Sequence, residues 1–144
     1  MFPAPTVTLA PETAETVQGL RTAMAAGDID LADTCLQILG ATGSFEPARR
    51  ALTEDFRALL IAHAGTDADA QRARATATAG LVADRMVAMG QHAGDVPALL
   101  DPHTIDPQGL SDNNAVIALA VGLNTLLSLL DETVVEAFLM SRDV

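Results

Sequence analysis

The sequence predicts an all-α fold, a helical bundle of about five helices entered through an extended N-terminal arm, and three observations carry that expectation. The apolar mass is Ala, Leu, Val, Ile and Met, while aromatic residues make up only 3% and are all Phe, a composition that favours helices over strands. Apolar residues recur at spacings of three and four through most of the chain, and no stretch alternates with the period of two that a strand requires. Gly, Asp and Ser fall between these stretches, where helices should stop and start. A chain of 144 residues with 49% hydrophobic content is long enough to bury one core as a single domain over residues 11–144, and residues 1–10 form the arm.

The arm, "MFPAPTVTLAP", carries prolines that break a helix, so it reads as extended and flexible. It has neither the basic start nor the apolar stretch of a secretory signal. Pro11 stands at a first helical position, Glu12 and Glu15 suit the positive end of the helix dipole, and Val17, Leu20 and Met24 run on to a stop at Gly27. Asp28 or Asp30 can cap a second, shorter helix on which Leu31, Cys35 and Ile38 share a face, with Gly40 as its stop. The two helices should form a hairpin.

Ser44 can cap a third helix whose Leu52, Phe56, Leu59, Leu60 and His63 make one stripe, ended by Gly65. Thr66 or Asp67 opens a fourth, with Ala75, Ala79, Val82, Met86 and Met89 turned inward. A brief apolar turn around Val96, Leu99 and Leu100 leads into "DPHTIDPQGLSDNN", where "DPQG" has the residue pattern of a type I β-turn. Ser111 then caps a helix apolar nearly all round, with Val116, Ala120, Leu123, Leu127 and Leu130 as its seam and Leu119, Leu126 and Leu129 broadening the face, so it belongs at the centre of the bundle. Asp131 and Glu132 mark its end or a kink before a last amphipathic segment, "TVVEAFLM".

The charge pattern narrows the function classes. Lys is absent, and eight Arg face nineteen carboxylates for a formal charge of -11, so a phosphate backbone would be repelled and direct nucleic-acid binding is not expected. The run from Ala115 to Leu130 is short for a membrane span and carries Asn124, Thr125 and Ser128, so no membrane is expected either. A lone cysteine, Cys35, allows no intrachain disulfide and fits a cytoplasmic location. No glycine-rich junction between a strand and a helix is present, which removes the nucleotide-binding α/β folds.

Two constellations suggest chemistry. Glu12 and Glu15, then Asp30 and Asp33, are each spaced i, i+3 on a predicted helix, so antiparallel helices could aim four carboxylates at Mg²⁺. This arrangement resembles the E-x-x-E followed by E-x-x-D of the MazG-like all-α nucleotide pyrophosphohydrolases, and "IDLADTCLQIL" resembles their second metal-binding helix. The resemblance implies Mg²⁺ held by Glu12, Glu15, Asp30 and Asp33 while water attacks a nucleoside triphosphate. It covers about the first quarter of the chain, and Asp30 stands where that family carries Glu. The second constellation is His63 in "LLIAHAG", placed as a phosphotransfer histidine would be on a helical bundle, although without the lysine and glycine that usually follow one. His92 and His103 are scattered, without zinc-ligand spacing.

The reading that absorbs most of the sequence is non-enzymatic: a protein-protein interaction module of adaptor, chaperone or inhibitor type, with no cofactor. It would engage another protein, or a second copy as a homodimer, through apolar helix faces near the C-terminus. The expected interface residues are Leu119, Asn124, Leu126, Ser128, Val135, Phe138 and Leu139, with Asn124 and Ser128, one turn apart, setting register.

Overall fold

Seven helices follow one another in the computed structural model, which describes residues 2–104 and 107–143. They are α1 (Pro11–Ala26), α2 (Ile29–Ala41), α3 (Phe45–Ala64), α4 (Ala68–Ala88), α5 (Val96–Leu100), α6 (Asp112–Leu127) and α7 (Glu132–Arg142), and no strand occurs among the described residues. The number exceeds the expected five because the brief apolar turn closes into α5 and the final segment separates as α7.

The helix boundaries follow local chemistry. Pro11 begins α1, and Gly27 ends it in the left-handed conformation at φ 69°, where a side chain would be strained. Asp28, Asp67, Ser111 and Asp131 cap α2, α4, α6 and α7, each accepting a hydrogen bond from a backbone N–H of the first turn. Two expectations fail here. Gly40 lies inside α2, which runs to Ala41, and the positive φ needed to leave the helix falls at Gly43. Ser44 precedes α3 without capping it, because its hydroxyl is engaged with Thr13 and Thr42 instead.

α6 is the axis of the molecule. Every residue from Ala118 to Leu123 is buried, and the helix packs against α1, α3, α4 and α5 at once. Contact with α3 is especially close, since a Cβ added at Gly122 would come within 3.0 Å of the Phe56 ring. On α4 the inward stripe of Ala75, Ala79, Val82 and Met86 is as expected, but Met89 is exposed because the helix has ended at Ala88. On α2 the inward face is Ala32, Cys35 and Leu39, one position round from the expected stripe, so Leu31 and Ile38 face solvent.

The segment between α5 and α6 is held by α3. Arg49 donates to the carbonyls of Pro107 (2.6 Å) and Leu110 (3.1 Å) and to Asp112 (3.0 Å). Arg57 donates to the carbonyls of Pro102 (3.1 Å) and Thr104 (3.0 Å). Two guanidinium groups thus satisfy carbonyls that have no helical partner. The "DPQG" turn includes Asp106, which lies outside the described residues.

Candidate functional site

Three helices meet around one buried carboxylate. Asp55 of α3 is fully buried, with its Oδ2 2.6 Å from Nε of Arg21 on α1 and its Oδ1 2.9 Å from Nε of Arg142 on α7. The Arg142 Nε–H points off line, so that contact is an ion pair without a hydrogen bond. Gln18 extends the network, accepting from Arg21 (3.1 Å) and donating to the Leu139 carbonyl (3.0 Å). Burial pushes the Asp55 carboxyl above its ordinary range, opposed by the neighbouring Arg21 and Arg142 guanidinium groups. Apart from the Arg142 Nε–H, the side chains that could have served chemistry here are engaged with one another, so the network acts as a clasp joining α1, α3 and α7.

The same clasp holds the N-terminal arm, which is extended as expected and docked against the bundle over its described residues. Arg142 donates to the Pro3 carbonyl (2.8 Å) and its guanidinium lies 5.3 Å from the centroid of the Phe138 ring. Phe2 meets that ring edge-on at 5.4 Å, and Val7 and Leu9 pack on the core. Glu54 accepts from the Thr6 amide (2.9 Å), from the Thr6 hydroxyl and, at 3.5 Å, from the Val7 amide. Partial burial raises the Glu54 carboxyl, but these hydrogen bonds and the Arg142 charge outweigh it and hold the group below its ordinary range.

A carboxylate with a depressed folded pKa contributes stability that is present above its unfolded pKa, about 4.3, and lost as pH falls through the folded value. Acidification below about pH 4.3 is therefore expected to loosen the arm. The Thr6 and Val7 amide resonances report it: they should titrate together in the native chain and stay flat in Glu54→Gln. Amides that titrate unchanged in that variant would assign the latch elsewhere.

The carboxylate quartet is not brought together. An added Cβ at Gly19 would come within 3.2 Å of Cys35 Sγ, which sets the antiparallel register of α1 and α2. That register places Asp30 level with Met24 and Asp33 level with Arg21, whereas Glu12 lies about 18 Å further along the axis from Asp30. All four carboxylates are exposed, and no group of three or more His, Cys, Asp or Glu among the described residues could hold a metal. These residues do not fit the Mg²⁺ that the resemblance implied, because the short hairpin turn puts the two i, i+3 pairs towards opposite ends of the helices. His63 is half-buried in the last turn of α3. Cys35 is buried, and burial raises its thiol, which makes it a poor nucleophile.

The expected interface residues divide. Leu119, Leu126 and Phe138 are fully buried in the protein's own core, and Val135 and Leu139 are partly buried against it. A docking face made of the three buried residues is thereby corrected: α6 is surrounded by four helices, and α7 folds its Phe138 under the arm. Ser128 is exposed at the end of α6, its hydroxyl bonded to the Thr125 carbonyl. Asn124 joins three helices, donating to the Met24 carbonyl of α1 (2.8 Å) and accepting from Arg85 of α4 (3.0 Å).

That Asn124 junction lies near the C-terminal ends of α1, α4 and α6, and α2 and α7 begin within a few residues of two of those ends. The large apolar side chains left in solvent are spread over the described residues: Ile38, Ile61, Leu81 and Met140 (77% exposed) lie elsewhere, and five others, Ile29 (76%), Leu31, Val87 (66%), Met89 and Leu129, lie near the helix ends that adjoin this junction. Each of the five lies within about one and a half helical turns of the junction, counted along its own helix or across the α1–α2 hairpin. The segments 22–31, 84–91 and 124–133 also carry the exposed Asp28, Asp30, Asp84, Asp131 and Glu132, with Arg85 as their one basic residue. Of these apolar positions, Leu31, Met89 and Leu129 look inward by periodicity alone; the inward face of α2 is turned one position round from Leu31, while Met89 and Leu129 lie just past the ends of α4 and α6. Val87, off the inward stripe of α4, was the one legible signal.

Compared with known protein families, with curated proteins and with solved structures, the chain matches none.

Proposed function

We propose that this protein is a non-enzymatic protein-protein interaction module that binds its partner at the Asn124 end of the bundle. The supporting observation is the exposure of Ile29, Leu31, Val87, Met89 and Leu129 near the helix ends that adjoin Asn124, five large apolar side chains that the fold leaves in solvent. An interface of this kind has an apolar centre and a polar rim, and the exposed carboxylates of the same segments supply the rim. The interface of this reading therefore keeps Asn124 and Ser128 from the sequence and replaces Leu119, Leu126 and Phe138 by these five residues. A cytoplasmic setting is part of the proposal, supported by the single buried thiol of Cys35 and by the absence, among the described residues, of any helix long and apolar enough to cross a membrane.

The test is a photo-crosslinking residue placed at Val87 in the full chain, expressed in the native host, with a second chain carrying it at Gln71 near the start of α4. Discrete adducts from position 87, lost on Leu129→Ser, are expected. Equal adducts from both positions, or none from position 87, would overturn the reading. An adduct of twice the chain mass, with matching dimers in sedimentation, would assign this end to a second copy.

A further inference from the structure

We infer that the outer face of α4 binds a second copy of this chain, α4 against α4 in antiparallel orientation about a two-fold axis level with Ala79. Helical geometry places Ala70, Arg74, Ala77, Leu81, Asp84 and Ala88 in one stripe, because they recur at spacings of four and three along a single unbroken helix. That stripe is separate from the inward one of Ala75, Ala79, Val82 and Met86. Ala77, Leu81 (54%), Asp84 and Ala88 are exposed, and Ala70 and Arg74 are half-buried. A Cβ added at Gly80, on the same outer side, would meet no atom within 4 Å, so that side of the helix is open.

The order of residues along the stripe selects the partner. In an antiparallel pair about that axis, Arg74 of one copy faces Asp84 of the other, Ala77 faces Leu81, and Ala70 faces Ala88, each pairing occurring twice by symmetry. Every charge thus meets its opposite, and each Leu81 side chain is received over an alanine. Neither Arg74 nor Asp84 forms a salt bridge among the described residues, so both are available to a neighbour. A parallel pairing would instead set Arg74 against Arg74 and Asp84 against Asp84, which repel. The acidity of the whole chain opposes any self-association, but least at this helix. α4 carries Arg72, Arg74 and Arg85 against Asp69 and Asp84, and it alone among the helices of the described residues has more arginines than carboxylates. Exposed charges elsewhere on the two copies are screened beyond about 8 Å at physiological salt.

A seam one helix long is a small interface, so the dimer is expected to be reversible. Sedimentation equilibrium of the full chain over roughly 10 μM to 1 mM should show monomer and dimer in exchange. Asp84→Arg and Arg74→Asp should each weaken the dimer about tenfold, because each homodimer then sets like charges against one another in two pairs. An equimolar mixture of the two variants should associate as the native chain does, since the cations of one meet the carboxylates of the other in both pairs. Leu81→Ser should weaken the native dimer several-fold, whereas Leu129→Ser, outside α4, should leave it unchanged, which separates this face from partner binding at the Asn124 end. Asp84 and Leu81 are exposed, so those two variants keep the test open even if the half-buried Arg74→Asp fails to fold by circular dichroism.

A chain that stays monomeric throughout that range overturns the inference. So does a dimer that Asp84→Arg and Leu81→Ser leave intact, or one that Leu129→Ser disrupts, because its contact then lies on another face. Two folded single variants that are weakened and do not recover on mixing would overturn the antiparallel pairing of Arg74 with Asp84.

Discussion

Asp55→Ala is expected to destabilise the fold by about 3–5 kcal/mol, a large part of the stability of a domain this size. The physical reason is what the substitution leaves behind. Arg21 and Arg142 stay 4% and 3% exposed in the folded chain, so removing the carboxylate between them strands two guanidinium charges that water cannot reach. The lost attraction is the smaller part, since desolvation of all three charges already offsets much of it.

That imbalance makes a second outcome testable. Replacing the whole clasp by apolar residues, Arg21→Met/Asp55→Leu/Arg142→Met, should recover most of the loss, because no charge is then buried unpaired. Urea denaturation of the native chain and both variants measures each difference. A triple variant as unstable as Asp55→Ala would show that the carboxylate supplies net stability beyond pairing its neighbours. An Asp55→Ala chain within about 0.5 kcal/mol of the native one would mean that the arginines find other partners.

The clasp also marks where sequence reasoning reaches its limit. Arg21, Asp55 and Arg142 are 34 and 87 residues apart along the chain, and although Arg21 falls at apolar spacing from Val17 and Met24 and Arg142 from Phe138, nothing local pairs either with Asp55. Periodicity reports which way a side chain points relative to its own helix, and burial of a charge depends on which other helix arrives there. The local features were legible for the same reason: Pro11, Gly27, Asp28, Asp67 and Ser111 act on neighbours within one turn, and the all-round apolar character of α6 needs no knowledge of its partners to place it centrally. The docked arm illustrates the converse. Its prolines correctly predict an extended chain, while its docking depends on Glu54, Phe138 and Arg142, which nothing in residues 1–10 specifies.

Phe138→Ala is the other change with a large expected effect, about 3–5 kcal/mol, and it discriminates between two roles for the same residue. Phe138 is the only fully buried aromatic residue on α7, and it lies between the Phe2 ring and the Arg142 guanidinium. Truncation should therefore do two things together: open a cavity at the α1–α7 boundary and release residues 2–7, read as faster proteolysis of the arm. A residue serving mainly as a partner anchor would behave otherwise, losing partner binding with little change in stability, which is the behaviour expected of Val87→Ser at the exposed end of α4.

Combination with Asp55→Ala carries the argument one step further. Both substitutions loosen the attachment of α7, one by stranding Arg142 and the other by removing the ring it rests on, so their effects should fall short of additive by about 0.5–3 kcal/mol. A double-mutant cycle in a stabilising osmolyte, which keeps the weakest variant folded, measures that shortfall. Strict additivity would mean that the clasp and the aromatic pair hold α7 independently, and that arm release in Phe138→Ala owes nothing to Arg142.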